Sequence, residues 1–144
     1  MSIVVADVLE QKGRSLYRID ADASVLDAVR TMVEANVGSL LVTVEGRIEG
    51  IVTERDYLRR VALESRDERT TPVRAIMSSP LVVVRPDTSL DECRSLVTDL
   101  RIRHLPVVEG EEVVAMISIG DLVKFATEQQ TVEIRYLRDY INAR

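Results

Sequence analysis

Two pairs of residues in this chain combine a hydroxyl with an acid at the same spacing. Thr53 lies three residues before Asp56, and Ser118 lies three residues before Asp121, each where an apolar run ends and a helix is predicted to begin. Free N–H groups at a helix start favour an anion. A hydroxyl can donate to a phosphate or ribose oxygen, whereas an ionised carboxylate only accepts and therefore suits ribose hydroxyls. A nucleoside monophosphate offers both groups to such a site.

The same spacing is also that of a capping box, in which the side chains bond to their own main chain. Ser24 with Asp27 and Ser89 with Glu92 have this spacing too. A capping hydroxyl can share a ligand, so the two interpretations are compatible. The spacing alone leaves a ligand site and plain helix capping both open.

The two hydroxyl–acid pairs are related by an internal repeat (118 − 53 = 121 − 56 = 65). The same register relates segment 24–33 to 89–98 and segment 50–61 to 115–126, and residue class is kept through most of these stretches. Chance similarity would not hold one register across helix, strand and turn patterns together. The sequence therefore predicts two copies of one structural unit.

The sequence pattern of each copy predicts secondary-structure elements in the order β-α-β-β-α. A short apolar strand leads to an amphipathic helix with a serine cap, and two strands joined by a Glu-Gly turn favour a hairpin. The predicted strands are 16–19, 40–44 and 48–52 in the first copy and 81–84, 105–108 and 113–117 in the second. The helices that close the two copies are predicted at 54–63 and 119–129.

The predicted organisation is a first repeat at 5–63, a polar, exposed linker at 64–72, a second repeat at 73–128 and a helical extension at 129–144. A unit of about 60 residues buries too little surface to be robust alone. We therefore expect the two repeats to bury their apolar sheet faces against each other about a pseudo-twofold axis. The fold class that follows is α+β.

Short helical segments are predicted to flank the repeats. One lies at 6–10, and another lies at 72–77 with Thr71 as its cap and Pro72 as its first residue. We expect the C-terminal extension to pack on the body of the protein or on a second subunit, because it carries an apolar face. That face is formed by Ile134, Leu137 and Ile141.

Composition argues against several classes of function. A net charge of −5 and 3% aromatic residues leave no basic footprint and no stacking platform for nucleic acid. No apolar run approaches the roughly 18–20 residues of a membrane helix, and the N-terminus is a poor signal peptide. The single cysteine and single histidine exclude an internal disulfide and argue against zinc. We expect a cytoplasmic protein without a metal, a membrane anchor or a nucleic-acid partner.

Signatures of catalysis are missing as well. The chain has no GxGxxG fingerprint and no GxxxxGKS/T loop. Cys93 falls on the apolar stripe of a predicted helix, and no third group accompanies Cys93 and His104 as thiol catalysis would need. We therefore expect no enzyme activity, no catalytic residue and no required cofactor.

Arg103 and His104 precede a predicted strand in the second copy, where they could neutralise phosphate oxygens. Solvated charged residues would equally need no special explanation there. The first copy has Gly38 and Ser39 at these positions, so its phosphate contacts must come from other residues. Candidate cations in that half of the chain are Arg55, Arg59 and Arg69. We expect the two sites to differ in ligand or in affinity.

The chain resembles the cystathionine-β-synthase (CBS) domain family, arranged as a tandem pair, from about residue 5 to residue 126. The resemblance rests on GIVTERD at 50–56, MISIGD at 116–121, RIRHLPVV at 101–108 and PDTSL at 86–90. No single motif is decisive, but both copies of the pattern keep one register. The match is to CBS pairs that stand alone, with no enzyme or transporter attached.

The resemblance implies a regulatory module that binds adenosine compounds in clefts between the two repeats. AMP is the expected ligand above ADP, ATP, NAD(H) or S-adenosylmethionine, and an unidentified protein target would respond to occupancy. Such pairs commonly form homodimers through their helices, as flat discs. The alternative, of a different class, is a ligand-free interaction domain that acts through the same helices.

The resemblance also assigns roles to residues. The two aspartates would hold the ribose, Arg103 and His104 would contact the phosphate, and the adenine would lie against Ile19 and Val84. Each apolar candidate also fits an ordinary core position. The expected nucleotide-binding set is Thr53, Asp56, Ser118, Asp121, Arg103, His104, Pro106, Ile19, Val37, Gly38, Val84 and Arg55.

Overall fold

The computed structural model describes residues 3–79 and 81–142, and the chain divides into two compact units. The first-repeat unit spans residues 15–82, and the second-repeat unit combines the chain up to residue 14 with the chain from residue 83. Helix α1 (Val5–Lys12) therefore belongs with the second repeat. Its first turn is held there by the Val5 N–H, which donates to the Thr88 carbonyl at 2.9 Å.

The first-repeat unit is built on a three-stranded sheet. Its elements are β1 (Arg18–Asp20), α2 (Val25–Ala35), β2 (Ser39–Val44), β3 (Arg47–Thr53), α3 (Glu54–Tyr57) and a π-helical segment (Leu58–Ala62). β1 pairs in parallel with β2, and β2 pairs antiparallel with β3. One face of the sheet packs against α2. The buried cluster formed there includes Leu40, Val42 and Val52 of the sheet and Val25 and Ala28 of α2.

The second-repeat unit repeats the hairpin and its two helices. Its further elements are α4 (Leu90–Leu100), β4 (His104–Glu109), β5 (Glu112–Ser118) and α5 (Ile119–Asn142). The predicted strand at 81–84 is wrong: in the described part of that segment, Val84 makes a single parallel bridge to Val107. The strand stops because Pro86 has no N–H to donate and the Arg85 N–H donates to Thr88 Oγ1 instead. The predicted α+β class is confirmed.

The serine caps predicted for the two long helices are present. Ser24 Oγ accepts the Asp27 N–H, and Ser89 Oγ accepts the Glu92 N–H, each at 3.1 Å. The short helix predicted at 72–77 is only a 3-10 turn (Val73–Ala75). Thr71 does not cap this turn, because the next residue, Pro72, is extended. Pro72 forms a β-bridge with Ser24, the residue before α2.

Helix α5 is longer than the predicted 119–129 and runs without a break into the predicted extension. At 24 residues it is about 36 Å long. Ile134, Leu137 and Ile141 are 49%, 57% and 66% exposed, so this face does not pack on the body of the chain. The alternative, that it packs on a second subunit, stays a prediction. No helix in the described ranges is long and apolar enough to cross a membrane.

Candidate functional site

Thr53 and Asp56 form what we call the first corner, where β3 ends and α3 begins. The Thr53 N–H donates to Asp56 Oδ2 at 2.9 Å, and the Thr53 hydroxyl donates to the same oxygen at 3.1 Å. The Asp56 N–H donates to Thr53 Oγ1 at 3.2 Å. Both side chains are half-buried, and among the described residues no cation forms an ion pair with Asp56. The corner is a closed capping box whose carboxylate has no ion-pair partner among the described residues.

Ser118 and Asp121 form the second corner, where β5 meets α5, with the same frame. The Ser118 N–H donates to Asp121 Oδ2 at 2.8 Å, and the Asp121 N–H donates to Ser118 Oγ at 3.1 Å. Here the Lys12 ammonium also forms an ion pair with Asp121 Oδ2 and donates to the Met116 carbonyl. The Lys12 and Asp121 side chains are 30% and 23% exposed, so the pair is only partly hydrated.

Lys12 was not among the sequence-predicted site residues. It lies 109 residues before Asp121, at the end of α1, the helix that precedes the first strand. A basic residue in the last turn of a helix is ordinary, because it complements the helix dipole. No local signal in the sequence links it to the second corner.

Charge at the second corner changes the protonation of its neighbours. Burial opposes ionisation of Asp121, but hydrogen bonds from Lys12 and the Ser118 N–H outweigh it and hold the pKa of Asp121 below its usual value. His104 pairs with Ser118 across the β4–β5 ladder. Burial, and then the nearby Lys12 charge, lower the pKa of His104 below 6.5. At neutral pH His104 is therefore an uncharged hydrogen-bonding group rather than a cation.

The residues just before β2 and β4 hold the two corners in equivalent ways. The Glu54 N–H donates to the Gly38 carbonyl at 3.1 Å, and the Ile119 N–H donates to the Arg103 carbonyl at 2.9 Å. The Arg103 side chain is exposed. The structure thus brings the predicted Gly38 and Arg103 beside their corners through the main chain. Arg55 is exposed on α3, one residue before Asp56.

The predicted adenine contacts are less accessible. Val84 is 3% exposed and belongs to the core of the second-repeat unit, and Pro106 is buried as well. Ile19 and Val37 are half-buried and pack against the core of the first-repeat unit. Val84 thus occupies a core position, and Pro106 is buried within β4.

A pocket of about 490 Å³ lies in the first-repeat unit, on the helical side of its sheet. Its lining is Val29, Met32, Val33, Asn36, Val37, Gly38, Glu54, Tyr57 and Leu58. The lining includes the predicted Val37 and Gly38 but neither member of the first corner. This mostly apolar pocket therefore lies next to the first corner, at Gly38 and Glu54, but is not lined by the Thr53 or Asp56 side chain.

The remaining candidates for chemistry fit structural roles. Cys93 is fully buried, and burial raises the pKa of its thiol to about 11, so it stays protonated at neutral pH. No group of three or more potential metal ligands occurs among the residues that the structure describes.

The sequence matches the family model described as "CBS domain" twice, at residues 5–63 and 73–128. CBS domain-containing protein CBSX3 of Arabidopsis thaliana, described as mitochondrial, is 37% identical over 97% of this chain and 72% of its own length. CBS domain-containing protein YhcV of Bacillus subtilis is 33% identical over 72% of this chain and 74% of its own length.

A solved structure from Burkholderia ambifaria, described as a candidate signal-transduction protein with CBS domains, is 43% identical with a TM-score of 0.85. The match covers 89% of this chain and 96% of that one. Two family matches, similar sequences and similar structures agree with the duplicated hairpins and corners. The chain therefore belongs to the CBS-domain family and carries two CBS domains in tandem.

Proposed function

We propose that this chain is a regulatory module that binds adenosine nucleotides at its hydroxyl–acid corners, AMP above ADP, ATP and NAD(H). The observation that carries the proposal is that one arrangement occurs twice, at the ends of β3 and β5. In each, a half-buried carboxylate is held by its own helix start. CBS-domain proteins are commonly regulatory modules, and binding followed by a change of partner affinity is how such a module acts.

The capping bonds leave room for a ligand. An ionised carboxylate has about four acceptor positions on two oxygens, and the hydrogen bonds from Thr53 to Asp56 both use Oδ2. Oδ1 remains to accept from ribose hydroxyls. The exposed guanidinium groups of Arg55 and Arg103 would then supply charge to a phosphate on the same side of each repeat. Helix capping and ribose binding are thus compatible uses of one aspartate.

Occupancy would reach a partner through the helices. Exposed apolar side chains occupy the helical side of both units: Val33 and Leu58 in one, Leu100 and Val123 in the other. Leu58 and Val123 are related by the internal repeat. We propose a homodimer formed on these faces, whose arrangement changes when nucleotide binds. An unidentified protein target would respond to that change.

A ligand-free interaction domain is the second candidate function. The observation that favours it is the apolar pocket of about 490 Å³ beside exposed Val33 and Leu58, which could receive a partner side chain without any nucleotide.

A thermal-shift panel with AMP, ADP, ATP and NAD(H) separates these two functions. A ligand at 100 times its Kd adds roughly 2.7 kcal/mol to the free energy of unfolding. We expect AMP to give the largest shift and Asp56→Asn to reduce it. Asp27→Asn is the matched control, since Asp27 lies in a similar cap on α2. No shift with any nucleotide, at concentrations up to the millimolar range, would favour the interaction domain.

A further inference from the structure

Lys12 makes the second corner unlike the first. Its ammonium bonds to Asp121 Oδ2 and to the Met116 carbonyl, so two of its three donors are already used within the second-repeat unit. The groups around it are Asp121, the uncharged His104 and the exposed Arg103.

A ribose at the second corner meets an acid that this ammonium already neutralises. Asp121 Oδ2 accepts from the Ser118 N–H and from Lys12, just as Asp56 Oδ2 accepts from two donors, so Oδ1 is open at both corners. A charge-assisted bond to an ammonium is about twice as strong as a neutral one to a hydroxyl, and a neutralised carboxylate is a weaker acceptor for ribose hydroxyls. At the first corner, no described cation forms such an ion pair. The same motif therefore offers an acid without an ion pair in one repeat and a neutralised acid in the other.

We propose that Lys12 is a specificity-determining residue that neutralises Asp121 within the chain, so that the second corner binds a ribose more weakly than the first and more tightly when Lys12 moves aside. This inference rests on the proposed nucleotide function. It adds that helix α1, which belongs to the second-repeat unit, sets the inequality between the two sites. The opposite role for Lys12, as a contact to the ligand phosphate, predicts effects of opposite sign.

Calorimetry with AMP measures whether Lys12 weakens or strengthens nucleotide binding at the second corner. In the full chain with Asp56→Asn, which disables the first corner, adding Lys12→Met should tighten AMP binding at the remaining site by about fivefold, the factor that corresponds to a partly exposed ion pair. Arg14→Met is the matched control, because Arg14 forms an exposed ion pair with Glu109 in the same unit. Unchanged or weaker binding in the Lys12→Met variant overturns the inference. If the unsubstituted chain binds no nucleotide at all, the proposed function fails and the inference fails with it.

Amine labelling gives a second readout that needs no substitution. The chain has two lysines, Lys12 and Lys124. Lys124 is exposed and forms no ion pair within the described part of the chain, so it is an internal reference. We expect Lys12 to react more slowly than Lys124 with acetic anhydride, and saturating AMP to raise the Lys12-to-Lys124 ratio. If the ratio falls with AMP, the ligand protects Lys12, as a phosphate contact would. If the ratio does not change, Lys12 stays bonded to Asp121. Either result contradicts the displacement of Lys12 by a ribose.

Discussion

The first corner and the second corner share a backbone frame and differ in charge. In both, a hydroxyl accepts from the helix start and a carboxylate accepts from the last N–H of a strand. Among residues 3–79 and 81–142, a lysine neutralises the carboxylate of the second corner alone. Duplication has therefore copied the local geometry, whereas the charge at each corner depends on what the rest of the chain brings to it.

The largest expected effect is on the free energy of unfolding. It tests whether the hydrophobic cores of the two units are packed as similarly as the backbone frames of the two corners. Leu40 and Leu105 occupy the same place in the two hairpins, and both are fully buried. Leu40→Ala and Leu105→Ala should each lower the free energy of unfolding by about 2–5 kcal/mol, measured by urea denaturation. Leu63→Ala, at a side chain 80% exposed, is the control that should change little. A loss below about 1 kcal/mol in either core variant would show that the hairpins are not packed alike.

A smaller effect tests the shared frame itself. Thr53→Ala and Ser118→Ala each remove a hydroxyl that accepts the N–H three residues later, at 3.2 Å and 3.1 Å. Each should cost about 1 kcal/mol in the free energy of unfolding, the usual cost of losing an N-cap. Ser24→Ala, which removes the cap of α2, should cost a similar amount. If Thr53→Ala is neutral while Ser24→Ala is not, the first corner is not held as a capping box in solution.

The smallest expected effect on stability comes from removing Lys12, the residue that makes the two corners differ in charge. Lys12→Met should lower the free energy of unfolding by less than about 1 kcal/mol at neutral pH, because the pair with Asp121 is partly exposed. It should raise the pKa of Asp121 by removing a donor, and raise the pKa of His104 by removing a nearby positive charge. Titration of the carboxyl and imidazole signals by NMR measures both, and His104 is the single histidine of the chain. An unmoved Asp121 pKa would mean that the ion pair does not form in solution.

The same two groups contribute to the pH dependence of stability. The pKa of Asp121 is depressed in the folded chain below 3.8, so its contribution is present above that pH and is lost as pH falls through the folded value. The pKa of His104 is depressed below 6.5, so the unfolded chain binds that proton first and stability also falls as pH drops below 6.5. Urea denaturation at several pH values should show both losses, and Lys12→Met should weaken both.

Local patterns in the sequence predicted most of the fold. The offset of 65 residues placed both hairpins, and the serine caps at Ser24 and Ser89 begin α2 and α4 as expected. The prediction failed for the strand at 81–84, where Pro86 limits pairing. The tail face is exposed, which leaves a second subunit as its predicted partner. The hydroxyl–acid corners were found because their spacing is local. Lys12 was missed because its partner lies 109 residues away and no repeat relates the two.

A crystal structure of the protein with AMP would show whether the corners bind nucleotide. We expect ribose hydroxyls within hydrogen-bonding distance of the Asp56 carboxylate, with the Thr53 capping bonds kept, and lower occupancy at Asp121. An Asp56 that still bonds only to Thr53, with no nucleotide at either corner at saturating AMP, would contradict this expectation.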